Sequence, residues 1–176
     1  MKYFSYILSI LCFISCGSTK VNYDYERTTD FSAYTTYNYF DDLETGFSQL
    51  DEKRLMNAMD ITLQTKGLKF SEEPDIFINI KSTVFKSQPS NSVGVGLGGG
   101  GGNVGGGLSV GIPVGGPKLK RELLIDFVDA KKDILVWQAV SESSFKESDS
   151  PATKEQKMQE LITKVFDKYP PKERNE

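Results

Sequence analysis

The sequence predicts an α+β domain: a mixed, mainly antiparallel sheet of about five strands, two helices on one face, and a glycine-rich insertion between strands. Three observations carry this expectation. The segments run strand, strand, helix, strand, strand, strand, helix, an order that suits two helices packed on one sheet. Both helices bear their own start and stop signals. A tight turn in the last third joins two strongly apolar strands into an antiparallel hairpin.

Val21 to Arg27 and Ala33 to Phe40 are aromatic-rich segments containing Tyr23, Tyr25, Tyr34, Tyr37 and Tyr39, and aromatic residues favour the pleated surface of a strand. Asp30-Phe31-Ser32 reads as the turn between them. These tyrosines are expected to form a strand face with exposed hydroxyls, in preference to a ligand-stacking platform.

Ser48 to Lys66 reads as a helix. Ser48 with Asp51 three residues on is a capping-box variant, and Gly67 supplies the C-terminal stop. Leu55, Met56, Met59 and Leu63 form its buried stripe, the methionines as core filler rather than metal ligands. Asp75 to Lys86 alternates as a half-buried strand, with Ile76, Ile78, Ile80 and Val84 on one face and Phe77, Asn79, Lys81 and Thr83 on the other. The link from Phe40 through the helix to Asp75 suits a crossover between parallel strands.

Glu122 to Ala130 and Asp133 to Phe145 form the clearest hairpin, turned by Asp129-Ala130-Lys131-Lys132-Asp133. Leu123, Ile125 and Phe127 oppose Leu124 and Val128, then Ile134, Val136 and Val140 oppose Leu135, Trp137 and Ala139. Apolar residues on both faces predict strands covered on both sides. The second cover would come from the glycine-rich segment, another copy of the chain or a partner. The last helix is expected from about Ala152 to Lys168, capped by Ser150-Pro151, striped by Met158, Leu161, Ile162, Val165 and Tyr169, and stopped by Pro170-Pro171.

The segment Val93 to Gly116 interrupts this pattern. Gly98 to Gly107 loses much backbone entropy on ordering. Gly96-x-Gly98-x-x-Gly101 matches a dinucleotide fingerprint only because any glycine tract would, and no helix follows it. The Walker pattern fails because Pro117 separates Gly116 from Lys118. Val93, Val95 and Leu97 alternate with glycine on one arm, and Leu108, Val110, Ile112 and Val114 alternate on the other. Two readings stand: a mobile loop, or a hairpin arm whose apolar face packs on the domain, a partner or a lipid surface.

The N-terminus points to a compartment. Met1-Lys2, the apolar run Tyr3 to Ile14 and the small exit Ser15-Cys16-Gly17 form a secretion signal, too short for the ~20 residues of a membrane-crossing helix. Cysteine at the exit makes it a lipoprotein signal, with Cys16 acylated as the first mature residue. Phe13 stands where a lipobox usually has leucine, and bulky Leu11 before Cys12 makes that cysteine the poorer acceptor. Without aspartate after Cys16, an outer-membrane anchor facing the periplasm is expected, with surface exposure left open. Residues 1–15 are then the signal, 16–22 a tether, 23–171 one domain with 93–117 as loop or arm, and 172–176 a disordered tail.

Of 176 residues, 21 are Lys or Arg and 24 Asp or Glu, a net charge of −3. No basic stripe invites nucleic acid. The chain has no histidine, and processing leaves the mature domain no free thiol. Imidazole- or thiolate-based nucleophile systems and zinc sites are thereby excluded, and no cofactor or metal is expected.

Asp30-Phe-Ser-Ala-Tyr-Thr-Thr-Tyr, Lys66-Gly67 ahead of Pro74-Asp75-Ile-Phe-Ile, a glycine-rich insert, Ile125-Asp-Phe-Val-Asp-Ala with Leu135-Val-Trp, and a closing Tyr169-Pro-Pro occur in that order. This arrangement resembles the bacterial lipoproteins grouped as domain of unknown function 4136. The resemblance implies an envelope lipoprotein with a small α+β domain and brings no activity or catalytic residue with it. The leading expectation is therefore a non-enzymatic protein that binds an envelope partner or itself, or supports an envelope assembly. A carrier of a small apolar ligand or lipid is the alternative, favoured by a closed apolar pocket. A carboxylate hydrolase comes third, with Asp126 and Asp129 as candidates by position alone.

Overall fold

The computed structural model describes residues 19–87, 92–95, 110–113 and 118–172, with backbone alone for the two short middle segments. The strands are β1 (Lys20–Tyr25), β2 (Thr36–Tyr39), β3 (Lys69–Phe70), β4 (Ile76–Ser87), β5 (Ser92–Val95), β6 (Val110–Pro113), β7 (Lys118–Asp129) and β8 (Ile134–Ser144). The helices are α1 (Gln49–Thr65) and α2 (Pro151–Val165), and a short 3-10 turn covers Phe31–Ala33. Six strands form one sheet in the order β1-β8-β7-β4-β2-β3, while β5 and β6 pair as a separate ladder. The α+β class holds, with one more strand in the sheet than expected.

Local signals explain most boundaries. Ser48 and Ser150 cap α1 and α2 through their side chains, accepting from the Asp51 and Thr153 backbone N–H groups. Pro151 occupies the first turn of α2, where its missing N–H costs nothing. Gly67 ends α1 at φ +88°, a left-handed conformation that other residues adopt only with strain. β2 pairs in parallel with β4 across the helix-bearing crossover, while β4–β7, β7–β8 and β8–β1 are antiparallel.

The core lies between this sheet and the helix layer. Ile76, Ile78, Ile80, Leu123, Ile125, Phe127, Val136, Trp137 and Ala139 meet Leu55, Ala58, Met59, Leu63, Leu161, Ile162, Val165 and Phe166, all buried. Met56, expected in the stripe, packs at the margin, and Ala58 takes the central position. Val84 is 44% exposed rather than buried with the isoleucines of its face. Its partner level explains this. Val84 pairs with Arg121, whose guanidinium lies over the Phe47 and Phe145 rings at 4.1 and 4.6 Å. The apolar layer stops there, and β4 and β7 run past it.

The second cover expected for this sheet is not supplied by either helix, since both lie on the other face. Leu124, Val128 and Val140 are only half-buried, and no described element packs over that face.

Candidate functional site

The uncovered face is the first candidate. Alternation along β7 turns Leu124, Asp126 and Val128 to this side while Leu123, Ile125 and Phe127 enter the core. Asp126 stands opposite Asn79 on β4 and Gln138 on β8. Gln138 Nε2 donates to Asp126 Oδ1 at 2.8 Å, and Asn79 Nδ2 donates to Asp126 Oδ2 at 3.3 Å. A carboxylate clamped by two amides thus sits mid-sheet between apolar neighbours. Phe77 extends the apolar border, stacked on Phe40 with ring centroids 5.2 Å apart.

The second candidate lies at the far end of the same strands, where the Asp30–Tyr37, Pro74–Ile76 and Ile125–Ala130 segments converge. Asp75 Oδ2 accepts from the Thr35 and Thr36 backbone N–H groups at 2.9 and 3.1 Å and from both threonine hydroxyls at 3.0 Å. The Thr35 backbone N–H is the leading reason this carboxyl is held below its usual range; burial pushes the other way, and the two threonine hydroxyls and the Thr36 N–H join Thr35 in outweighing it. Asp129 Oδ1 accepts from the Lys131 and Lys132 backbone N–H groups, each at 2.9 Å, and Oδ2 accepts from the Tyr34 hydroxyl at 2.8 Å. Burial pushes Asp129 up, but the Tyr34 hydroxyl and these N–H groups outweigh it, and the net shift is downward. Carboxylates kept ionised by backbone donors brace turns; a general acid needs the opposite shift.

Asp126 and Asp129 therefore do not form a pair. Asp126 faces the open side of the sheet, and Asp129 is buried on the other beside the turn. The polar groove of about 380 Å³ beside Asp129, Asp75, Tyr34 and Lys132 contains one of them only.

The tyrosines correct another expectation. Their hydroxyls are not an exposed row. Tyr37 and Tyr39 both donate to Asp60 Oδ1 on α1, at 2.7 and 2.8 Å, and burial, followed by that carboxylate, raises both phenols above their usual range. Tyr23 donates to the Lys164 carbonyl at the end of α2 at 3.0 Å. Tyr34 holds Asp129, while Tyr25 is 42% exposed. The hydroxyls fasten strands to helices and turns.

The helix–sheet interface is filled by side chains. Phe127, Trp137, Phe166 and Tyr169 pack with ring centroids 4.9 to 6.1 Å apart. A carrier of apolar ligands wants a closed pocket in this interface. A larger concavity, about 510 Å³, lies instead on the surface of α2 between Gln156, Gln159, Thr163 and Lys164.

Of the residues singled out from the sequence, Cys16 lies outside the described residues, as do Leu97, Leu108 and Val114. Val93, Val95, Val110 and Ile112 lie in the β5–β6 ladder, where Val93 pairs with Ile112 and Val95 with Val110. The pairing offset of that ladder equals that of β4 and β7. Ser87 pairs with Lys118, and five positions further out on each side Ser92 pairs with Pro113. β5–β6 is thus in register with β4–β7.

No curated protein matches this sequence. The family model described as domain of unknown function (DUF4136) matches residues 21–171. Among solved structures, a PDZ domain protein from Parabacteroides distasonis is similar at TM-score 0.55 and 11% identity, over 97% of this chain and 40% of its own. The chain thus spans about two fifths of that protein's length. The PelC dodecamer from Paraburkholderia phytofirmans matches in two crystal forms, at TM-scores 0.47 and 0.49 and 9% identity, over 85% of this chain and 95% and 96% of its own. At 11% identity, the first likeness is one of fold alone.

Proposed function

The chain belongs to the DUF4136 family, and from that premise we propose that it is a lipid-anchored protein of the bacterial envelope whose domain binds a protein partner and catalyses no reaction. The lipid is placed on Cys16, and the expected site is the periplasmic side of the outer membrane. One observation carries the binding role: the sheet face formed by Leu124, Val128, Val140 and Phe77 around the clamped Asp126 has no covering layer among the described residues. Apolar side chains kept at a sheet centre without cover suit an interface. The two carboxylates considered for hydrolysis lie on opposite faces and serve as hydrogen-bond acceptors, which supports the non-enzymatic reading.

The test uses intact envelopes. A photocrosslinking side chain at Val140 is expected to give a discrete adduct, and one at Glu160 on the outer surface of α2 is not. Adding Leu124→Lys is expected to abolish the adduct while leaving the melting temperature near wild type. Equal adducts from both positions, or an adduct that survives Leu124→Lys, would refute the assigned face. Metabolic labelling with palmitate tests the anchor, since Cys16→Ser must lose the label.

A further inference from the structure

β1 is an outer strand of the sheet, and one bond past its end fixes the direction of its backbone groups. The Glu26 N–H donates to the Val136 carbonyl at 2.9 Å, in step with the β1–β8 register. In an antiparallel ladder every second residue exchanges bonds with the neighbouring strand. Lys20, Asn22 and Asp24 therefore bond to β8, and the N–H and C=O groups of Val21, Tyr23 and Tyr25 point away from it. Asp24 Oδ1 accepts from the Tyr25 N–H at 2.9 Å. Val21 and Tyr23 have no backbone partner on that side among the described residues. At the other end of the sheet, β3 is only two residues long, a protected form of edge.

We infer that two copies of this chain join along β1, antiparallel about a two-fold axis at Asn22. The groups open at the edge select this register. It sets Val21 opposite Tyr23 of the second copy, and each such pair exchanges both of its N–H···O bonds. The open groups of Val21 and Tyr23 are thereby satisfied in both copies. Centring on Tyr23 instead would call on the Tyr25 N–H, which Asp24 engages. Centring on Val21 would turn Tyr23 to Thr19, outside the strand.

The side chains agree with this register. Lys20 of each copy stands opposite Asp24 of the other, so the axis generates two cross-strand pairs of opposite charge. Lys20, Asn22 and Asp24 are exposed, and neither Lys20 nor Asp24 forms a salt bridge among the described residues. Glu142 faces Lys20 on β8 but is engaged by Lys120 Nζ at 3.2 Å. On the helix side, Val21 meets Tyr23 of the second copy, both packed at the margin of the core. Lys168 lies over the Tyr23 ring at 5.3 Å, and Asp167 is, after burial, the second cause of the raised Tyr23 phenol. Those two charges are opposite in sign. Lys164 lines the α2 concavity with Gln159, whose amide donates to Thr62 on α1, away from this edge. α2 itself packs on β8, inward of β1. Paired residues keep their faces, so both helix layers fall on one side of a joined sheet. The Leu124 and Val140 face stays uncovered, and the contact is separate from the partner surface proposed above.

The test uses the full-length chain in intact cells, with mild oxidation and gels run without reductant. At the axis, residue 22 meets its own copy in a non-hydrogen-bonded pair with Cα atoms ~4.5 Å apart, within disulfide reach. Asn22→Cys is expected to give a disulfide dimer of twice the chain mass, above any band of the wild type. Asn57→Cys, exposed on α1, is expected to give none. Adding Lys20→Asp to Asn22→Cys sets carboxylates opposite one another twice and should lower the dimer yield about tenfold. Further addition of Asp24→Lys should restore it. Absence of a dimer from Asn22→Cys at wild-type melting temperature overturns the proposal. So do equal yields from residues 22 and 57, which would mean collision, and a yield indifferent to the charge reversals. An adduct of another mass at residue 22 would place a different protein's strand on the edge and overturn self-pairing. Should Asn22→Cys fold poorly, sedimentation of the purified full-length wild type against Lys20→Asp decides. A dimer weakened by Lys20→Asp is expected, and a monomer at every concentration overturns the proposal.

Discussion

The Tyr34 hydroxyl donates to Asp129 Oδ2 at 2.8 Å across 95 positions of sequence, tying the segment after the 3-10 turn to the last residue of β7. Asp129 is buried, so its second oxygen needs that donor. Tyr34→Phe is expected to cost about 1–2 kcal/mol. Urea denaturation would show this as a lower midpoint at unchanged slope. An unchanged midpoint would mean that solvent replaces the phenol at no cost.

Acid should destabilise the fold through Asp75 and Asp129. Both carboxyls are held below their ordinary value in the folded protein. A group of that kind contributes stability that is fully present above its unfolded pKa, about 3.9 for aspartate, and is lost as pH falls through the lower folded value. The urea midpoint is expected to be level between about pH 7 and 5 and to drop below about pH 4. Asp75→Asn with Asp129→Asn should be less stable at neutral pH and flatter in this acid window. A double variant with the wild-type acid slope would move the effect to other carboxylates.

Asp75 should matter more than its single side chain suggests. Asp75→Ala removes the acceptor of four donors on Thr35 and Thr36, and bonds to a charged group contribute about 1.5–3 kcal/mol where they replace hydration. A loss of at least ~2 kcal/mol is expected by thermal or urea unfolding. A change below ~0.5 kcal/mol would mean that water satisfies those groups.

Gly46 is a second sensitive point. It sits at φ +73°, and a Cβ there would lie 2.6 Å from the Ser82 carbonyl oxygen. The neighbouring Ser82 N–H donates to the Thr45 carbonyl at 2.9 Å, so neither backbone segment moves without loss. Gly46→Ala is expected to destabilise by more than ~1 kcal/mol, and a neutral result would show that the 45–47 loop shifts freely.

Asp126 separates folding from contact. It faces the open side of the sheet, so Asp126→Leu should change stability by no more than ~0.5 kcal/mol. The same change is expected to abolish the adduct formed from Val140. Retention of the adduct would remove the clamped carboxylate from the contact surface.

The elements legible in the sequence are those specified by neighbours in the chain. Ser48, Ser150-Pro151 and Gly67 act within a turn of helix, and the Ile76, Ile78 and Ile80 alternation needs only its own strand. β3 escaped notice because Lys69–Phe70 is too short to show a period. The tyrosine partners escaped because Tyr23 and Lys164 are 141 positions apart, a separation that no local pattern records. Residue type reached only half of the sheet's cover. Leu124, Val128 and Val140 are apolar and mark a face with affinity for cover, but composition does not say which element or partner supplies it. The Asn79–Asp126–Gln138 row was half visible, since alternation sets Asn79 opposite the isoleucine face of its strand and Asp126 opposite the Leu123, Ile125 and Phe127 face. That they meet depends on the register of three strands.

The shared register of β4–β7 and β5–β6 limits how the glycine-rich insertion can change in length. Four residues link the ladders on each side, 88–91 and 114–117. One residue added to a single link would give the two ladders different pairing offsets unless a bulge absorbs it. Tolerated variation should therefore come as matched changes on both strands, or at the tip between Val95 and Val110. Length libraries of this segment would show a parity rule: balanced insertions keep the arm, and lone ones disrupt it.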